Sequence, residues 1–346
     1  MFDRKTVIVL GAGASAPFGF PLGAQLRVNL IAGIGQLKNR LTNEEFMLQP
    51  VGAHNVDIFW NDPFGALASY IKGSLGQPHL PENISQDSFM HQLYDFHKYI
   101  KRQTQDTLDQ FIRENPSYNF IGKVLLSQQV MVGMYEKDED CLCLKSFAEG
   151  KINGRRIWYQ QLINLIRRGA QNTEELLNNK LDIVTFNYDH SLERALDTSL
   201  GDTEIHQGAD YREVVNIFHV NGSPSELPKT VSDVGKFILE CAKDFHLVEE
   251  KAASHVHAAR ERSQRAVFDA ERSYVMGFDF DPSNVSAIGL QKTPQKEGVF
   301  CLNFNGHLGL RQRIERLNIP YNKDFSGTPN NPLHIYEAIG NGFLEQ

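Results

Sequence analysis

The sequence predicts an α/β fold: a Rossmann-like parallel sheet with a large, mostly helical insertion after the first strand. Three observations predict it. Five short apolar runs rich in β-branched residues have the length of buried strands, and each closes on glycine or polar residues. The stretches between them are long enough for crossover helices, which parallel strands require. A glycine-rich turn follows the first run at once, and the residues from Leu26 to Lys180 show mainly helical apolar spacing.

Taken in order, Thr6 to Leu10 is the first strand, and Gly11-Ala12-Gly13-Ala14-Ser15-Ala16 turns the chain out of it. Residues 50 to 85 carry Pro50, Pro63, Pro78 and Pro81 and read as irregular. Phe89, Leu93 and Phe96 lie at helical spacing, as do Leu108, Phe111 and Ile112 before an Asn115-Pro116 stop. The acidic run Glu136 to Asp140 reads as solvated surface. A further helix carries Trp158, Leu162, Leu165 and Ile166, ahead of strands at Leu181 to Phe186 and Val214 to Val220. A polar helical stretch, roughly Ser232 to Arg272, holds His246, His255 and His257 among charges. His255 and His257, two apart on a helix, point to different sides, so these and His246 read as solvated surface histidines rather than as a metal site. Tyr274 to Phe278 and Val299 to Phe304 complete the strands.

With 346 residues, 41% of them hydrophobic and 10% aromatic, the chain can bury a core as one large domain with insertions or as two smaller ones. A mean hydropathy of -0.36 fits an ordinary globular protein and excludes fibrous and collagenous classes. Lys and Arg number 35 against 42 Asp and Glu, so a net charge of -7 supplies no global positive field for nucleic acid. Direct nucleic-acid binding is not expected. Cys141, Cys143, Cys241 and Cys301 are too scattered for a disulfide framework, and Cys141-x-Cys143 lacks the spacing of a zinc knuckle. The apolar run Val7 to Leu10 is shorter than a signal-peptide core and far shorter than a membrane span. A cytoplasmic protein with no bound metal and no membrane contact is expected.

The turn after the first strand carries the strongest local signal. Glycines at a strand end let the backbone bend tightly and approach a pyrophosphate, which the N–H groups of the following helix attract. The same pattern also serves as a plain tight turn between strand and helix. A dinucleotide dehydrogenase would next need an acidic residue at the end of a second strand, yet after Asp3 none occurs before Glu44. An oxidoreductase of that kind is therefore disfavoured.

Four segments together resemble the sirtuin family. Gly11-Ala12-Gly13-Ala14-Ser15 with Gly19-Phe20-Pro21 is similar to the Gly-Ala-Gly-x-Ser and Gly-Ile-Pro opening of the nucleotide site. Thr185-Phe186-Asn187-Tyr188-Asp189 resembles Thr-Gln-Asn-Ile-Asp, and Phe218-His219-Val220-Asn221-Gly222-Ser223 falls where sirtuins carry a catalytic His-Gly. Gly277-Phe278 followed by Asn284 resembles the late strand and loop that close over the adenosine half. Leu22-Gly23-Ala24 replaces the Asp-Phe-Arg of deacylases, the four-cysteine zinc module is missing, and Thr107-Leu108-Asp109-Gln110-Phe111 is similar to a Ser-Ile-Asp-x-Phe segment. These departures resemble the sirtuin-like domains of bacterial antiviral defence systems.

The resemblance implies an NAD-binding domain over residues 1–310, with 26–180 as insertion or lid and 311–346 as a tail or oligomer contact. It implies NAD as substrate, held by Gly11, Ala12, Gly13, Ser15, Pro21, Asp109, Asn221, Gly222, Ser223, Gly277, Phe278 and Asn284. Asn187, His219 and Asp189 would carry the chemistry, namely hydrolysis of the nicotinamide–ribose bond. Aligned on the glycine, Asn221 stands where the histidine belongs and His219 lies two residues earlier. Either His219 serves as base, or Asn221 marks a site that binds nucleotide with little chemistry. The implied role is NAD depletion in antiviral defence, released through a homo-oligomer or a partner such as a HerA-type ATPase. The alternatives are a non-catalytic NAD or ADP-ribose sensor and, less favoured, an NAD-dependent protein deacylase.

Overall fold

The structure, a computed structural model, describes residues 2–18, 20, 23–42, 63–72, 80, 84–102, 108–134, 151–152, 155–156, 158–224, 231–248, 250, 253–294, 298–303, 306–328 and 334–345. It divides into two compact units. One comprises Met1–Phe20, Cys143–Gly222 and Val248–Gln346, and the other Pro21–Leu142 and Ser223–Leu247.

The first unit is built on a sheet. Its strands are β1 (Thr6–Leu10), β4 (Leu181–Thr185), β5 (Val215–His219), β6 (Arg272–Met276), β7 (Val299–Asn303) and β8 (Tyr321–Ser326). A separate two-stranded ribbon joins β2 (Lys151–Ile152) to β3 (Arg155–Arg156). The large sheet runs β5-β4-β1-β6-β7-β8 with every pairing parallel. Counting these six strands in chain order gives 3-2-1-4-5-6, the Rossmann arrangement, with the order reversing between β1 and β6.

β1 lies at the centre because all five of its residues can be buried on both faces. Ile8 and Leu10 point into one core with Ile183, Tyr274, Met276 and Phe300, while Val7 and Val9 point into the other with Val184, Val275, Val299 and Cys301. The helices Trp158–Arg167, Ser191–Ser199 and Ile335–Gly340 cover the first face through residues such as Leu162, Ile166, Leu196 and Ile339. The helices Ser254–Asp269, Pro282–Ala287 and Leu308–Arg316 cover the second through Val267, Val285 and Ile314.

All five expected strands form, the first over Thr6–Leu10 as expected and the others with shifted or shorter ends. The last begins at Val299 and stops at Asn303, and the fourth begins at Arg272 and stops at Met276, because Gly277 takes a left-handed φ of 62° that a strand cannot continue through. Two expectations are corrected. Residues 311–346 are not an appended tail: Tyr321–Ser326 adds the sixth strand, and Phe343 is fully buried in the sheet core. The segment 158–180 belongs to the sheet unit rather than to the insertion, because Trp158, Leu162, Ile163 and Ile166 form the stripe that packs on the sheet.

The second unit is helical. Gly23–Thr42, Pro63–Ile71, Gln86–Ile100, Leu108–Glu114 and Asn119–Met134 come from its first segment, and Val231–Asp244 comes from the second. The Val231–Asp244 helix packs on Pro63–Ile71 and Asn119–Met134. Phe96, Phe111 and Tyr118 form an aromatic cluster with ring centroids 5.4 to 6.1 Å apart, Phe96 edge-on to the other two rings, which stack on each other. The expectations for Pro50, Pro78, Pro81, Glu136 to Asp140, Cys141 and Cys143 lie outside the described residues. No helix among the described residues is long and apolar enough to cross a membrane.

Candidate functional site

The site is built at the C-terminal ends of β1, β4 and β5, the edge at which open parallel sheets bind ligands. At the end of β1, the Gly11 N–H donates to the Met276 carbonyl at 3.1 Å and the Gly13 N–H to the Gly277 carbonyl at 2.9 Å. A Cβ on Gly11 would lie 2.5 Å from the Gly277 oxygen, and one on Gly13 would lie 2.7 Å from Gly277 Cα. The glycines thus let the turn touch the end of β6 backbone to backbone at the point where strand order reverses. That contact alone requires glycine at these positions, so their presence adds no weight to a pyrophosphate cradle. Ala14 N–H is engaged by the Gly11 carbonyl, and the Ala14 carbonyl accepts from Trp158 Nε1 at 2.9 Å. The turn is therefore rigidly held.

Beyond the turn, residues from three segments join in a continuous chain of hydrogen bonds. Asn187 Nδ2 donates to Ser15 Oγ at 2.9 Å, and Ser15 Oγ donates to Asp189 Oδ2 at 2.9 Å. The other Asp189 oxygen accepts from the Ser191 N–H at 3.1 Å and from the Ser191 hydroxyl. With its proton so engaged, Ser191 Oγ accepts from the Tyr159 hydroxyl at 2.8 Å. Asp189 is 6% exposed and both its oxygens are committed, so it positions Ser15 and the start of the Ser191–Ser199 helix rather than facing a ligand. Burial raises its pKa, partly offset by the hydrogen bonds from Ser191 and Ser15. Burial also raises the Tyr159 hydroxyl well above its usual value.

His219, the last residue of β5, is held from both sides. Its Nδ1 bonds the Asn187 backbone carbonyl at 2.9 Å and its Nε2 bonds Glu193 Oε1. Burial would lower its pKa, but the Glu193 carboxylate and the hydrogen bonds to Glu193 and Asn187 outweigh that and raise it. Burial likewise opposes ionisation of Glu193, yet the His219 charge and hydrogen bond hold its pKa low. His190 stands beside His219, with ring centroids 5.3 Å apart, and burial lowers the His190 pKa to about 4.

Four expected residues, Ser15, Asn187, Asp189 and His219, therefore come together. Asn221 lies nearby in sequence but past the strand: its Nδ2 donates to the Phe186 carbonyl at 3.4 Å, and its buried Oδ1 has no hydrogen-bond partner among the described residues. Gly222 turns the chain with a φ of 80°. Phe278 packs on Phe186 at 5.0 Å, and the Asn284 N–H is taken by Asp281 in a helix cap. None of these four joins the chain of bonds. Asp109 and Ser223 belong to the helical unit, the Asp109 side chain lies outside the described residues, and so does Pro21. His255 and His257 are exposed, as expected, with His257 3.6 Å from Glu261, whereas His246, expected at the surface with them, is half-buried.

The sequence reading missed Glu193, His190, Ser191 and Tyr159. His190 and Glu193 stand three apart where the Ser191–Ser199 helix begins, the spacing that puts two side chains on one helical face. In comparisons with known proteins, no family model and no curated protein matches the chain.

Proposed function

We propose that the chain is an NAD glycohydrolase, cleaving the bond between nicotinamide and ribose. The observation that carries this reading is the convergence of Ser15, Asn187, Asp189 and His219, from three separate segments, at the C-terminal edge of a sheet with Rossmann strand order. In the reaction the C1′–N bond breaks and its electron pair neutralises the nicotinamide ring. A water oxygen bonds C1′ and gives up one proton, yielding nicotinamide and ADP-ribose. The sugar passes through an oxocarbenium-like state, so the protein must orient the ribose and shield it from bulk water. Asn187 is fixed by Ser15 and Thr185, at 2.9 and 3.1 Å, and would hold a ribose hydroxyl or the attacking water. His219 would serve as base toward the water only once its Nε2 proton stays on Glu193 and the contact between Nε2 and Glu193 opens, so that Nε2 can take the proton of the water. NAD depletion in antiviral defence, with release through an oligomer or a HerA-type partner, is the cellular role that the sirtuin resemblance supports.

A sensor that binds NAD or ADP-ribose without turnover is the second reading. It is favoured by Asn221 standing where the sirtuin pattern has histidine, and by the engagement of both His219 nitrogens. Nicotinamide release from NAD, followed by chromatography with and without candidate partners, separates the two. The hydrolase reading expects equimolar nicotinamide and ADP-ribose, falling at least a hundredfold in Asn187→Ala and His219→Ala. Tight ADP-ribose binding with no release from the wild type would transfer the assignment to the sensor.

A further inference from the structure

We infer that His190, Glu193 and His219 form a binding site for one divalent transition-metal cation of the zinc class. Each residue offers one ligand atom, and the three atoms lie within 4.8 Å of one another. Among the described residues they are the one group of three so placed.

The donor chemistry points to a cation. The Asn187 carbonyl can only accept, so His219 Nδ1 must carry a proton, and in a neutral ring Nε2 is then a bare lone pair. That lone pair faces a Glu193 carboxylate oxygen, which is also an acceptor. Two acceptors in contact need a positive species between them, either a proton or a metal ion. A histidine whose far nitrogen donates to a backbone carbonyl while its near nitrogen is free is the arrangement that orients metal-ligating imidazoles. The Asn187 carbonyl supplies this support, and Asn187 is itself anchored by Ser15.

The third ligand distinguishes a metal site from a simple ion pair. A proton shared by Glu193 and His219 gives His190 no function, whereas two imidazoles and one carboxylate are a common donor set for zinc-class ions. Metal-to-ligand bonds of about 2.1 Å put tetrahedral ligand atoms about 3.4 Å apart. Glu193 and His219 would part slightly and His190 would swing inward, movements available to side-chain rotation. Three protein ligands leave a fourth position for water or a substrate oxygen, as in catalytic rather than structural sites.

The inference does not rest on the proposed hydrolase, because it is read from the metal alone; a cation on His219 Nε2 takes the lone pair that His219 would need as base, so the two roles exclude each other in one state of the site. Purified full-length protein, stripped with chelator, is titrated with Zn²⁺ against a chromophoric chelator and separately with Co²⁺ while visible absorption is recorded. One equivalent of Zn²⁺ should bind, and Co²⁺ should give the absorption of a four- or five-coordinate site. His190→Ala should weaken binding at least tenfold with the circular dichroism spectrum unchanged, since it leaves the Glu193–His219 pair intact. Glu193→Gln should do the same. Absence of Zn²⁺ binding by the wild type at micromolar metal would overturn the inference. Binding that persists in both variants would overturn it equally, by placing the metal elsewhere. Should the variants misfold, the wild-type Co²⁺ spectrum decides: a six-coordinate, nearly colourless complex rejects the site.

Discussion

Gly277 and Gly289 share a left-handed backbone, with φ of 62° and 66°, yet the space around them differs. A Cβ at Gly277 would lie 2.1 Å from the Ala14 nitrogen, whereas one at Gly289 meets nothing within 4 Å. Gly289→Ala should therefore cost about 1 kcal/mol from backbone conformation alone. Gly277→Ala must also push the β1 turn away, and should cost about 3 kcal/mol or more. Urea denaturation of both variants checks this, and equal losses would refute the close-approach argument. Substitution of His190 tests the electrostatics of the site. In metal-free protein its pKa is about 4, against 6.5 for an ordinary imidazole. As pH falls through 6.5 the unfolded chain takes up a proton that the folded protein refuses until near pH 4, so stability is lost across that window. The loss attributable to His190 is about 3 kcal/mol. His190→Gln should remove it, so that the variant loses about that much less than the wild type between pH 7 and pH 4, measured by urea unfolding with chelator present. An equal loss in both proteins would show that His190 is not held neutral. His190 and Glu193 escaped the sequence reading because their meaning depends on β5 bringing His219 to them across 26 residues, which spacing alone does not encode. Asn187 and Asp189 were singled out only because Thr185 to Asp189, at the end of a buried strand, resembles a family motif.

At the scale of elements, the edge strand β8 illustrates what hydrophobic patterning leaves hidden. Tyr-Asn-Lys-Asp-Phe-Ser contains no apolar run, as an edge strand with a single neighbour allows. β1, β4, β6 and β7 lie between neighbours and are almost wholly buried, which favours apolar residues along them, whereas β5, the opposite edge, is only half-buried and was visible through Val214, Val215, Ile217, Phe218 and Val220. What fastens β8 is Phe343, which lies edge-on to Phe325 of that strand at 4.8 Å and to Tyr274 of β6 at 5.4 Å. Phe343→Ala should leave a cavity between them and cost about 3 to 5 kcal/mol. Hydrogen exchange should then quicken most in β8 and in the helix Ile335–Gly340. A uniform change across the sheet would mean that Phe343 supports the core generally rather than this edge.

For the whole molecule, the decisive feature is that the sheet unit is interrupted twice, at 21–142 and at 223–247. Only the first interruption was legible. The second was masked because Val231–Asp244 and Ser254–Asp269 read as one polar helical stretch, although the former packs in the helical unit and the latter on the sheet. Every residue in the hydrogen-bonded site, from Tyr159 and Ser15 to His219, belongs to the sheet unit. A ligand bound by those residues should therefore stabilise that unit through mass action, by about 2.7 kcal/mol when present at 100 times its Kd. ADP-ribose serves as the probe, because both functional readings require its affinity and neither consumes it. Thermal unfolding should shift upward by a few degrees. Protection from hydrogen exchange should concentrate in peptides covering 11–15, 185–191 and 217–222. Asn187→Ala should reduce the shift and His255→Ala should not, since His255 is exposed on the Ser254–Asp269 helix. Protection confined to the helical unit would place the nucleotide site elsewhere and remove the basis of the hydrolase and sensor readings together.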